Sequence, residues 1–263
     1  MSDERTTPPL AEDLQLALLF GALGAVAVAL LFPYLLATMP QVLAKAKVPL
    51  PALVLLQSLQ ALVLLGLLAF AGLRMGHAVG LGSPWLRALR YGRPRESQPW
   101  IRAIVLGALV ALLMLAVAPL FDASMPTPIQ PLPATSSNAF SWAGFLASFY
   151  GGIGEELQLR LFLMTLIVWT FAKLAKRPPP PTAFWSAIVI AALLFGAGHL
   201  PAAAQVWPLD TVVIARTVVL NGLGGLVFGW LYWKQGFESA MLGHFSADLV
   251  IHVAAPLLLG VAT

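Results

Sequence analysis

Cysteine is absent from the 263-residue chain. That excludes disulfides, thiolate nucleophiles and Cys-ligated metals together, and says nothing about the compartment. Charge is scarce as well: Asp, Glu, Lys and Arg make up 10% of residues, against about 25% in an average soluble domain. No basic patch with interleaved aromatics occurs, which sets nucleic-acid partners aside. Residues 1–13 are polar and mildly acidic. They lack the basic stretch, short apolar core and small-residue cleavage site of a secretory signal, so the first long apolar run reads as a retained helix.

What fills the chain instead is apolar: 59% of residues are hydrophobic, and the mean hydropathy is +0.86. A spanning helix needs about 20 such residues, and the chain offers about seven stretches of that length. The expected fold is all-α, a polytopic transmembrane helix bundle enclosing a polar intramembrane cavity. Residues 1–13 form a polar tail and 14–263 a single membrane domain, with a motif-bearing core at about 140–252. The net charge of +4 then reads as topogenic.

The expected spans are 14–38, 50–73, 101–121, 140–171, 183–199, 211–233 and 239–261. Pro33 should kink the first or end it early. Gln57, Ser58 and Gln60 in the second read as helix–helix glue. Between the second and third lies an arginine-rich stretch, with Arg74, Arg87, Arg90, Arg93, Arg95 and Arg102 against Glu96 alone. It reads as a cytoplasmic loop under the positive-inside rule, as do Lys173, Lys176 and Arg177. Residues 122–138, rich in Pro, Ser and Thr and free of Lys and Arg, read as a non-cytoplasmic loop. Alternation puts the N-terminus in the cytoplasm, and the setting expected is a bacterial inner (plasma) membrane. Lys45 and Lys47 argue weakly the other way. Gly151, Gly152 and Gly154 suggest a helix break within the fourth span.

Three polar islands remain at membrane depth, where a charged residue costs about 2.5–3.5 kcal/mol on insertion scales and so points to function. The first is Glu155, Glu156 and Arg160. On a helix Glu156 and Arg160 share a face at i, i+4, while Glu155 points about 100° away. Arg160 can thus neutralise Glu156 and leave Glu155 for a cavity. The second is His199, in Phe195-Gly-Ala-Gly-His199. The third is His244-Phe-Ser-Ala-Asp248, with His252 one turn further; residues four apart line one helix face. His252 reads as an interface or supporting residue.

Several chemistries are missing. No His-Glu-x-x-His occurs for a zinc protease helix, no Gly-x-Ser-x-Gly elbow and no Gly-x-Ser-Gly. Nor does a span hold a Gly-Asp or Tyr-Asp pair. Carboxylate and imidazole chemistry is what remains.

Glu155-Glu-Leu-Gln-Leu-Arg160, Phe195-Gly-Ala-Gly-His199 and His244-Phe-Ser-Ala-Asp248 occur in that order on successive helices. They resemble the Glu-Glu-x-x-x-Arg, Phe-x-x-x-His and His-x-x-x-Asn/Asp motifs of the CPBP family. That family includes type II CAAX prenyl endopeptidases and Abi-type proteins linked to bacteriocin processing and self-immunity. Gly229-Trp-Leu-Tyr-Trp-Lys-Gln-Gly236 resembles it too. The resemblance covers about 140–248 and implies an intramembrane endopeptidase acting on a membrane-associated peptide or protein. It implies Glu155 as the base that activates water and His199 as the residue that positions it. His244 and Asp248 would form the oxyanion site, with Glu156, Arg160 and Phe195 in support. Asp248, unless protonated, cannot donate a hydrogen bond, so it orients His244 or carries a proton. No cofactor is favoured; a zinc ion on Glu155, His199 and His244 is the second reading, since His₂Glu is a competent zinc set. A non-catalytic immunity or membrane-complex scaffold is the alternative of another class, and a proton-coupled transporter a third. The sequence carries no signal for oligomeric state.

One measurement does not fit. At about 1.5 Å per residue, His244 lies about 10 Å from the cytoplasmic start of its helix and His199 about 24 Å from that of its own. For the motifs to meet, the helices must tilt, break or start at different depths.

Overall fold

The computed structural model describes residues 8–94, 97–129 and 137–259. The readings made at 1–7, at Arg95 and Glu96, at 130–136 and at 260–261 lie outside these residues. Among the described residues every regular element is helical. Seven helices are long and apolar enough to cross a membrane: Leu10–Thr38, Leu50–Gly76, Trp100–Asp122, Ser141–Ala175, Pro181–Ala203, Thr211–Gln235 and Phe237–Leu258. They are called spans one to seven below. The chain is an integral, multi-pass membrane protein.

Local chemistry sets the ends. Proline stands in the first turn of spans two and five, where its missing N–H would be unpaired in any case. Asp210 caps span six, its Oδ1 accepting from the Val213 N–H at 2.8 Å. Span six stops at Gly236, and span seven starts at the next residue. Gly236 has φ +91°, a conformation that only glycine adopts without strain, so the chain reverses there in one residue.

The first helix runs through Pro33 to Thr38, so of the two outcomes expected of that proline, a kink or an early end, the early end does not occur; surrounding helices and lipid leave no water to compete for the freed backbone group. One other expectation needs correction. Gln57, Ser58 and Gln60 do not act as interhelical glue. Gln57 and Gln60 are exposed on the outer face of span two, and the buried Ser58 hydroxyl has no hydrogen-bond partner.

Span four is the hub. Leu157, Leu161, Met164 and Val168 on it are fully buried, and Leu16, Phe20, Leu65, Leu73, Ile188 and Leu231 join them in the main core. The opposite faces of the outer spans carry exposed leucines such as Leu18, Leu67 and Leu112. That inversion is expected where the surroundings are hydrocarbon.

One end of the bundle is tied by ions. Asp13, fully buried, takes Arg74 at 2.8 Å, His77 at 3.0 Å and the Arg87 guanidinium. Glu12 takes Arg87 at 3.1 Å and Arg93 at 2.5 Å. The helix starts at Leu10, so both acids lie inside its first turn. Glu238 accepts from Ser83 Oγ at 2.5 Å and the Leu86 N–H at 2.8 Å. The arginine-rich loop is therefore bolted to spans one and seven. Asp13→Ala leaves two arginines and the His77 ring around an empty buried site. We expect a loss of about 3 kcal/mol, the low end for breaking a buried ion cluster because Arg74 keeps some water contact. The readout is a lower thermal midpoint in detergent; an unchanged midpoint would contradict the assignment.

Candidate active site

Span four passes through the site without a break. Its turns instead widen into π-helix over Tyr150–Glu155 and Leu157–Met164. The glycine break expected just before the glutamates is thus absent. Gly151, Gly152 and Gly154 stay helical and buried, and their smallness serves a neighbour. A Cβ at position 151 would collide with Asp248 Oδ2 and lie 3.1 Å from His244 Nε2. Span seven can approach span four because nothing projects there. π turns are rare and recur at functional sites, where they re-aim side chains; a third segment lies at Leu249–Ala254 on span seven.

Glu156 and Arg160 face each other at 2.9 Å, both with no solvent exposure. The contact is an ion pair by distance, without an aligned N–H, and Glu156 Oε2 has no hydrogen-bond partner. Arg160 also donates from Nη2 to the Gly225 carbonyl at 3.1 Å. Its guanidinium lies 5.2 Å from the Phe195 ring and 5.5 Å from the Phe228 ring, where the ring faces favour a cation.

Glu156 holds a second group. His244 Nδ1 donates to Glu156 Oε1 at 2.8 Å, and the imidazole stacks on Phe228 at 4.4 Å. The residue that orients His244 is therefore Glu156, not Asp248 as the one-turn spacing suggests. Asp248 Oδ1 stands 3.6 Å from Nε2, on the other side of the ring. Sequence spacing within span seven could not reveal a partner on span four.

Glu155 is directed elsewhere. Its side chain is 21% exposed, with Oε2 at 3.6 Å from His244 Nε2 and Oε1 at 3.8 Å from His199 Nε2. His199 Nδ1 donates to the Phe195 carbonyl at 2.9 Å, which can only accept. In the neutral ring Nε2 is then a bare acceptor aimed toward Glu155. Glu155, His199, His244 and Asp248 thus share one cavity of about 530 Å³.

The depth mismatch resolves through packing. Phe195, one turn before His199, lies edge-on to the His244 ring at 5.5 Å. It stands about 21 Å along its helix against about 10 Å for His244, so spans five and seven are staggered or tilted and do not start at a common level.

Residues 137–250 match a family model described as type II CAAX prenyl endopeptidase Rce1-like. This segment, less than half of the chain, is similar to the CPBP family of intramembrane proteases. The matched stretch contains every residue of the three motifs and leaves spans one to three outside it. Comparison with curated proteins and with solved structures gave no match.

The matched segment does not build the cavity alone. Tyr34 of span one, Met39 just beyond its end and Met114 of span three line it too, and the Tyr34 hydroxyl lies 3.4 Å from His252 Nδ1. Those spans carry no motif, and only their fold position reveals them. His252 lines the same cavity. Among the described residues no three His, Asp or Glu side chains converge as a ligand set for a metal ion. A zinc ion with donors at about 2.0–2.2 Å would need Glu155 and both imidazoles drawn inward.

Arg160→Met leaves Glu156 as a buried carboxylate facing His244 alone. A destabilisation of about 3–5 kcal/mol is expected, read by denaturation in detergent. Glu156→Gln combined with Arg160→Met should recover part of it; no recovery in the pair would show that Arg160 acts independently of Glu156.

Proposed function

We propose that this protein is an intramembrane endopeptidase that hydrolyses a peptide bond with water activated by Glu155, in a glutamic and not a metal-dependent mechanism. One observation carries the proposal. Of the two adjacent glutamates, Glu156 is consumed by Arg160 and His244, while Glu155 faces the cavity between two imidazoles.

Glu155 Oε1 and His199 Nε2 present lone pairs to the same space. A water donating one O–H to each would sit about 2.8 Å from both. Glu155 takes a proton from that water as its oxygen attacks the scissile carbonyl carbon, a step for which a positioned base supplies about 10²–10⁴-fold. The carbonyl oxygen becomes an oxyanion. With Nδ1 already donating to Glu156, His244 reaches that oxyanion from Nε2–H as the imidazolium. A donor aimed at developing charge in a dry site is worth far more than in water. Asp248 stands 3.6 Å from Nε2, beside the position the oxyanion takes. Collapse of the tetrahedral intermediate breaks the C–N bond, and the proton held by Glu155 passes to the leaving amine.

Glu155→Gln should lower cleavage at least 100-fold with no shift in thermal midpoint. Purified Glu155→Gln protein that cleaves normally would sink the glutamic reading, and biological function surviving that change without cleavage would favour the scaffold alternative. Asp248→Asn should keep cleavage within about tenfold, because Asn can donate to the oxyanion itself, whereas Asp248→Ala should lose it. Equal loss in both would assign Asp248 a role that needs its charge. Activity that survives a zinc chelator, with no stoichiometric metal in the purified protein, would separate the glutamic from the His₂Glu–zinc mechanism.

A further inference from the structure

The cavity runs from one end of the bundle to its middle. Its walls come from the C-terminal parts of spans one, three, five and seven (Tyr34, Met114, His199 and His252), the N-terminal part of span four (Tyr150) and the first half of span six (Leu220), and its floor from Phe228 and His244 nearer mid-span. In an up-and-down bundle these parts share an end. The described connections at that end are 39–49, 123–129 and 204–210.

Positive charge gathers at the other end. Arg74, Arg87, Arg90, Arg93 and Arg102 surround the loop between spans two and three. Lys173, Lys176 and Arg177 close span four, and Lys234 lies in the turn between spans six and seven. The cavity end has Lys45, Lys47 and Arg216, and Arg216 is paired with Asp122 at 3.4 Å. Acidic partners such as Glu12 and Asp13 do not cancel the bias, because orientation follows Lys and Arg in short loops and not net charge.

We infer that the catalytic cavity opens on the non-cytoplasmic face, and that its substrate is an apolar segment of an exported or membrane-anchored chain presented from that side. The substrate part rests on the endopeptidase reading above. A charge bias of this size sets orientation, and the N-terminal helix is ion-paired to the basic loop, so both lie on the cytoplasmic side. The cavity wall between mouth and carboxylates is mostly apolar, with Leu35, Met39, Met114, Leu115 and Leu220 on it. That lining suits hydrophobic side chains flanking the scissile bond and leaves a highly charged segment unsolvated. A lipidated tail on a cytoplasmic protein would meet the opposite, arginine-rich end.

The cysteine-free chain makes the test direct. Ala202 lines the cavity mouth and Ser124 is exposed in a loop at the same end, while Leu89 is 45% exposed in the basic loop. Single-cysteine variants Ala202→Cys, Ser124→Cys and Leu89→Cys are treated in intact cells with a membrane-impermeant maleimide, before and after permeabilisation. Ala202→Cys and Ser124→Cys should label before permeabilisation and Leu89→Cys only after; the reverse pattern overturns the inference. Membranes carrying wild type or Glu155→Ala are then compared for peptide termini. Glu155-dependent termini in apolar segments on the non-cytoplasmic side support it. Termini confined to cytoplasmic segments overturn it while leaving the peptidase standing. If no terminus depends on Glu155, the peptidase reading and the substrate fall together, and labelling alone decides the face.

Discussion

A fully buried arginine and glutamate in an apolar bundle must satisfy each other or unfold the region around them. Glu156 does more than that. It carries the Arg160 ion pair at 2.9 Å and the His244 hydrogen bond at 2.8 Å on the same oxygen. One carboxylate thereby joins span four to span seven and fixes the face of the imidazole that looks into the cavity. Arg160 extends the chain to span six through the Gly225 carbonyl and to the rings of Phe195 and Phe228. Buried ion pairs are weak sources of net stability but strong specifiers of geometry once formed, because breaking one leaves an uncompensated charge.

The freedom of Glu155 follows from that arrangement. Its neighbour takes the permanent cation, so Glu155 meets only imidazoles, at distances too long for hydrogen bonds and short enough for a bridging water. The π turns and the glycines act together here. Widened turns aim both glutamates, and the missing Cβ at Gly151 admits Asp248 and His244. A bulkier residue there would hold span seven away and open the cavity.

The two ends of the molecule divide the work. At the basic end Asp13, Glu12 and Glu238 secure the arginine-rich loop, so the spans are held where they need no motion. At the other end an apolar-walled cavity leads to the carboxylates and contains few fixed charges.

Much of this was legible in the residues alone. Seven apolar runs determined seven spans, because hydrocarbon demands about 20 apolar residues per crossing whatever the tertiary arrangement. The spacing of Glu156 and Arg160 determined their pairing, because i, i+4 contacts are made within one helix. The three motifs read at 155–160, 195–199 and 244–248 all fall within the family match over 137–250. Contacts between helices were not legible, since they depend on tilt and stagger that no periodicity encodes. Glu156 as the partner of His244, Tyr34 and Met114 in the cavity wall, and the replacement of a glycine break by π turns belong to that class. The sequence determined which charged groups enter the membrane; tertiary structure alone decided which of them meet, because residues 88 positions apart come together only when whole helices pack.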